Sequence, residues 1–413
     1  MKTLGLAISL SVSVSAFAAS PDMAAQAVNQ FGLDLHRQMP KQGNVCLSPY
    51  SIQSALAMTY LGASGVTQEE MMRVLHFPAD KEKLSKSFAA LNQSLNKAQQ
   101  TSARYDAPAR ALQLHVANRL FGQSGYEFRK PFLSGVQDHF SAPLRPMNFR
   151  KDPGNARSEI NGWVAEQTRD RIRDLIPRAG VTSATRLVLV NALYFKAAWS
   201  AEFALESTHP KPFHINGGNE LVNVPTMTND QYMSYNRGRG FQAVTLSYIG
   251  KELHFLLIVP DSVNGLASVE QTLTPKILLA CASARERRVI LHLPKFKITP
   301  PTVPLGKVLQ TMGLTTAFDK PRGSADFDAM APKKPDDYLC ISEVFHKTFL
   351  ELDEKGTEAA AATAVAELSG GGGGGYQEPE KPIEITADRP FLFAIQHAAS
   401  GACLFLGRVT DPR

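Results

Sequence analysis

The first half of the chain carries its apolar residues at helical spacing, and the second half carries them in short unbroken runs. Ser48 is placed to cap a helix whose first turn holds Pro49, where the missing donor is harmless. Ile52, Leu56 and Tyr60 then recur on one face up to Gly62. Thr67 followed by Glu70 reads as a capping box opening a further helix, and Ser158 to Leu175 reads as a charged amphipathic surface helix carrying Trp163. From Arg186 the pattern changes: RLVLVNALYFKAAW is a nearly continuous apolar and β-branched run, as expected for a strand buried on both faces. Similar runs follow at FQAVTLSY, ELHFLLIVP, RVILHLPKFKI, YLCISEVFHKTFLEL, PFLFAIQH and CLFLGRV, separated by turn residues. Helices first and many strands later predict an α+β domain built on large sheets. Asn191 interrupts the first run, and a buried amide costs free energy unless it is hydrogen-bonded, so it demands a polar partner from elsewhere in the chain.

Glu354 to Pro382, EKGTEAAAATAVAELSGGGGGGYQEPEKP, fits neither pattern. Propensity favours helix from Glu358 to Glu367 and flexible coil from Gly370 to Gly375.

Composition narrows the function classes. A chain of 413 residues, 44% hydrophobic and 20% charged, can bury a sizeable core, and it shows no internal repeat or linker that would divide it. At the N-terminus one lysine, an apolar run from Leu4 to Val14 and Ala16-Phe17-Ala18 predict a cleaved secretory signal over residues 1–18. The expectation is therefore a secreted, extracellular or periplasmic protein with its domain at 19–413. No later stretch reaches about 18 unbroken apolar residues, so no membrane partner is expected. Cys46, Cys281, Cys340 and Cys403 lie far apart, three of them in apolar runs, which favours free buried thiols over structural disulfides. Neither a CxxC nor an HExxH spacing occurs, so no metal or other cofactor is expected. The formal net charge is +6, with Arg285, Arg287 and Arg288 as the one tight basic cluster. A solvated turn explains that cluster better than a polyanion site, leaving weak polyanion binding as a secondary expectation and nucleic acid as none.

Several segments, in order and over nearly the whole chain, resemble the serpin family: NVCLSPYSIQSALAMTYLGASGVTQEEM, INGWVAEQT, LVLVNALYFKAAW, LHLPKFKI, MGLTTAFDKPRGSADFDAM, ISEVFHKTFLELDEKGTEAAAATA and RPFLFAIQHAASGACLFLGRVTDP. The resemblance implies a single domain of three β-sheets and eight or nine helices, with a reactive-centre loop, here about residues 356–389, offered as bait to a protease. It implies a monomeric suicide inhibitor of serine-type endopeptidases, whose cleaved loop inserts into the main sheet and traps the acyl-enzyme. A non-inhibitory serpin acting as carrier, chaperone or storage protein is the alternative. A hydrolase is not expected, since no G-x-S-x-G elbow is present.

By the same resemblance, Glu354, Gly356, Thr357, Ala359, Ala360, Ala361, Ala362 and Thr363 form the hinge of that loop. A strand that must enter a sheet needs small, uncharged inward residues and no proline, and Thr357, Ala359, Ala361 and Thr363 meet that demand on one face. Ser48, Ser51, Asn191 and His346 match a polar shutter beneath the sheet. Glu354, Lys295 and Trp199 match the breach at its top, and Asn161 and Trp163 match a helix that lies across it. Counting from the hinge glutamate sets the scissile bond at Gly370-Gly371, flanked by Leu368 and Ser369, and points to elastase-like or subtilisin-like targets. Counting back from Arg389-Pro390-Phe391 lands nearer Pro379, because the loop is lengthened around its glycine run, and Tyr376 is then the rival bait.

Overall fold

The computed structural model describes residues 22–105, 110–357 and 381–413. Ser48 caps the helix Pro49–Gly62, its Oγ accepting the Ser51 N–H at 3.2 Å. This helix is buried around almost its whole circumference, because it contacts strands Gln113–Gln123 and Leu187–Ala198 as well as Cys403–Val409. Two expected helix boundaries move. The helix expected from Thr67 spans Gly65–Leu75, with Thr67 inside it accepting the Asp326 N–H, while Glu70 is drawn to the amides and hydroxyls of Thr315 and Thr316 at 2.7–3.0 Å. The capping box fails because a distant turn offers that carboxylate more donors than its own N-terminus does. The surface helix is Pro153–Gln167 rather than 158–175: Asp152 caps it through the Asn155 N–H, and positive φ at Arg169 and Asp170 ends it.

The run from Arg186 forms the central strand of the main sheet, Leu187–Ala198, buried throughout except at half-buried Lys196. Along one side it pairs antiparallel with Gln113–Gln123, setting Asn118 opposite Asn191. Along the other it pairs parallel with Ile341–Thr348, from Ile341 opposite Leu187 to Thr348 opposite Leu193. The chain then continues as Leu350–Asp353, which pairs with Phe296–Ile298, and turns back as the two-residue strand Gly356–Thr357. Helix Pro153–Gln167 covers one face of this sheet, its Ile160 and Val164 joining Phe121, Val188, Val190 and Phe345 in a core separate from the principal one.

The remaining strands share one long member, Glu220–Gly238. It pairs first with Thr208–Ile215, then with Glu286–Pro294, and at its end with Phe241–Ser247. These strands form one nine-stranded sheet beside the main one, with two arms that share this strand. One of the two continues through Leu253–Pro260, Phe391–His397 and Cys403–Val409 to Val45–Leu47, with Val45 opposite Arg408. The other carries Ile383–Thr386 parallel to Glu286–Pro294. With nine α-helices among the described residues, this is the expected α+β architecture. The run RVILHLPKFKI divides at Lys295, its two parts serving different sheets.

Candidate functional site

The top of the main sheet is where the chain doubles back. Gly356 lies opposite Asp353 on one side and Ala198 on the other, and Thr357 lies opposite Leu352 and Ala197, so these two residues already form a short rung between neighbours. The turn before them is held by Asp353, whose Oδ1 accepts the Lys355 and Gly356 N–H groups at 2.9 and 3.2 Å. Gly356 sits at φ 152, and a Cβ there would stand 2.1 Å from the Ala197 carbonyl oxygen, so only glycine fits.

Glu354, in the same turn, is buried. Lys295 Nζ lies 2.8 Å from its Oε2, and the Thr208 hydroxyl donates to Oε1 at 2.9 Å. Burial works to raise the Glu354 carboxyl, but these donors outweigh it and hold it below the usual carboxylate range. Trp199 donates its indole N–H to the Asp353 carbonyl at 2.9 Å and its backbone N–H to that of Lys355. Its ring stacks on Tyr248 at 4.6 Å, and the Tyr248 and Thr357 hydroxyls are 2.7 Å apart.

Lower in the sheet, the residues expected to form a shutter lie beside the parallel pair. His346 lies opposite Asn191, and its Nδ1 is 2.5 Å from Asn191 Oδ1 while its Nε2 accepts the Ser48 N–H at 3.0 Å. The Ser48 amide can only donate, so the ring is neutral with its proton on Nδ1. Burial pushes His346 down to about 3, in keeping with that form. Ser51 does not reach this pair; its hydroxyl donates to Asn118 Oδ1 at 2.7 Å, and Asn118 returns a bond to the Ser51 carbonyl. His346 thus meets the Asn191 oxygen, while Asn191 Nδ2 is buried without a hydrogen-bond partner among the described residues.

On the far face Asn161 bonds both the N–H and the carbonyl of Ile176, and Trp163 packs edge-on against Phe121 with the Arg119 guanidinium 4.5 Å above its ring. All four cysteines are unpaired, and burial raises each thiol. Arg288, from the basic cluster, forms a two-pronged pair with Asp230. Ala359, Ala360, Ala361, Ala362 and Thr363, the expected bond Gly370-Gly371, its neighbours Leu368 and Ser369, and Tyr376 lie outside the described residues.

Two participants had no place in the sequence reading. Asn118 carries the same signal as Asn191, an amide inside a strand, but its run alternates and invites a solvent-facing assignment. Tyr248 ends the FQAVTLSY run, where an aromatic ring with a polar tip calls for a partner.

A family model described as Serpin (serine protease inhibitor) matches residues 26–412. A leukocyte elastase inhibitor of Xenopus tropicalis is 37% identical over 396 residues, covering 94% of this chain and 98% of the relative. Serpin B10 of Bos taurus is 34% identical over 409 residues, covering 95% and 100%. Uncleaved ovalbumin superimposes with a TM-score of 0.78 at 28% identity, covering 94% of this chain and 99% of ovalbumin. The relatives correct one expectation. Leukocyte elastase inhibitor and serpin B10 are intracellular clade B serpins without a cleaved signal peptide, so the signal over residues 1–18 and the secreted, extracellular or periplasmic localisation fall. The apolar N-terminal run misled because its length and composition are those of a signal.

Proposed function

The chain belongs to the serpin family, and on that premise we propose that it is a suicide inhibitor of serine-type endopeptidases, trapping the protease as an acyl-enzyme when the cleaved loop enters the main sheet. The observation behind this reading is the rung Gly356–Thr357, already paired on both sides at the mouth of the parallel strands. Each further residue drawn in would move one position down each neighbour. Six steps past Thr357, Thr363 would face Asn191 on one side and His346 on the other, and those two residues already face each other. The two ladders agree from Thr357 to Thr363, so an added strand fits there without a register shift, and the irregularity between Ile341 and Glu343 lies further down.

The inward residues on that path suit the space. Ala359 would stand between Phe195 and Leu350, and Ala361 between Leu193 and Thr348, all of them fully or almost fully buried. Small uncharged side chains are what such positions admit. About ten new ladder bonds at roughly 1 kcal/mol each, with added apolar burial, would release on the order of 10 kcal/mol. In this reading the loop spans about residues 356–389, and Ser48, Ser51, Asn191 and His346 govern parting of the strands. Glu354, Lys295 and Trp199 hold the insertion point, and Gly370-Gly371 is the scissile bond. The partner is a serine protease of elastase-like or subtilisin-like preference, met by a monomer.

Incubation with such proteases followed by denaturing electrophoresis tests the proposal. A covalent band of inhibitor plus protease is expected; cleavage without that band would leave the carrier or storage reading.

A further inference from the structure

The loop's first rung is only two residues long, and so short a strand has few ladder bonds to hold it. Its side chain Thr357 is nevertheless buried, and the group that meets it comes from another sheet. Tyr248 follows strand Phe241–Ser247, is bridged to Trp199 in antiparallel register, and is fixed by its own N–H donating to Leu253 and by the next N–H donating to Ala198. Its ring stacks on Trp199 and meets Phe195 edge-on at 5.2 Å, which leaves it no freedom to swing. A fully buried phenol needs a partner, and its hydroxyl is spent on Thr357.

We propose that Tyr248 is a positioning residue for loop insertion: its hydroxyl, held by the stack on Trp199, latches Thr357 so that the first rung is in place before the protease arrives. This rests on the inhibitor reading above and adds to it a residue outside the main sheet. The latch acts after the bait is cut. A loop whose first rung is formed can advance at once, whereas one that must first re-form it gives the acyl-enzyme time to hydrolyse.

The full-length chain is compared with Tyr248→Phe, which keeps the ring and removes the hydroxyl, with Thr357→Val, and with the double variant. In Tyr248→Phe, amide exchange at Gly356 and Thr357 should quicken about fivefold, as loss of one hydrogen bond implies. The ratio of cleaved inhibitor to trapped protease should rise by a similar factor, while the rate of first cleavage holds and the melting midpoint of the intact chain falls by no more than about 2 to 4 °C. The double variant should be no worse than the worse single one. A tyrosine with a merely structural part would lower the midpoint and leave the ratio unmoved, and that result overturns the latch. So does unchanged exchange at the two amides, or additive losses in the double variant. If the wild type is cleaved by every protease without trapping any, the inhibitor reading fails. If it traps protease and Tyr248→Phe partitions identically, the latch alone fails.

Discussion

His346 and Asn191 face each other across two parallel strands with 2.5 Å between Nδ1 and Oδ1, and a third strand can enter only by parting them. The bond therefore resists opening of the sheet, and its imidazole is anchored from the other side only while an uncharged Nε2 accepts the Ser48 N–H.

Acid should loosen that anchor, because a proton on Nε2 ends its bond from the Ser48 N–H while the Nδ1–H bond to Asn191 persists. The folded value for His346, about 3, lies below the ordinary value near 6.5. The unfolded chain therefore takes up the proton first: the contribution is complete above about pH 6.5 and is lost as pH falls toward 3. The midpoint of thermal unfolding should drop more steeply from pH 6.5 to 4 in the wild type than in His346→Gln. Comparing the two removes the effect of His397, also depressed by burial, to about 4. Parallel profiles would show that the shutter imidazole is not responsible.

Replacing Thr357 by Arg should convert the inhibitor into a substrate. The side chain would have to stay fully buried against Tyr248, and burying an unpaired guanidinium costs several kcal/mol. Cleavage should proceed while the covalent band disappears; an undiminished band would sink the insertion mechanism.

Cleavage between Leu368 and Tyr376 should raise the melting midpoint by tens of degrees, given a release near 10 kcal/mol and about 2 to 4 °C per kcal/mol for domains of 150–250 residues. Thr363→Val should reduce that gain without moving the intact midpoint, because it brings no hydroxyl between Asn191 and His346. An equal gain in both proteins contradicts the register.

The pair of Lys295 and Glu354 is exposed on one side only. Lys295 is 38% exposed and Glu354 5%, so Lys295→Ala, which leaves a buried carboxylate to the Thr208 hydroxyl, should cost about 1 to 3 kcal/mol in urea unfolding. The same variant should trap protease less efficiently, since it frees the turn before the rung. A loss of stability far above that figure would make the pair part of the core.

Specificity should follow the glycines. A protease that accepts small residues should be trapped after cutting between Leu368 and Gly371. A chymotrypsin-like enzyme should cut at Tyr376 and escape, because six further residues leave roughly 20 Å of slack at about 3.3 Å each. Mass spectrometry of the released peptide decides, and a stable complex whose peptide begins at Gln377 makes Tyr376 the bait.

The main sheet was legible wherever burial on both faces produced an unbroken apolar run, as at Leu187–Ala198. The strand Gln113–Gln123 and the long hairpin from Thr208 to Gly238 were not, because half-exposed faces fill them with polar residues and erase the contrast. Pairing of Asn191 with His346 came from the resemblance and from the cost of a buried amide. The roles of Asn118 and Tyr248 depend on which strand lies beside which, and that information exists only once distant segments have met.

Val45 opposite Arg408 carries a consequence for how the molecule is made. Synthesis runs at about 5 to 20 residues per second, so the 362 residues between them take roughly 20 to 70 s to emerge. Strand Val45–Leu47 must wait that long for the neighbour that completes its sheet. The alanine-rich segment leaves the ribosome when every described strand of the main sheet has been made, but before Phe391–His397 and Cys403–Val409, which pair in the other sheet, exist. A nascent chain so arranged can settle into the wrong closed sheet before its last strand is born, and the yield of active protein becomes a race that translation speed itself can tilt.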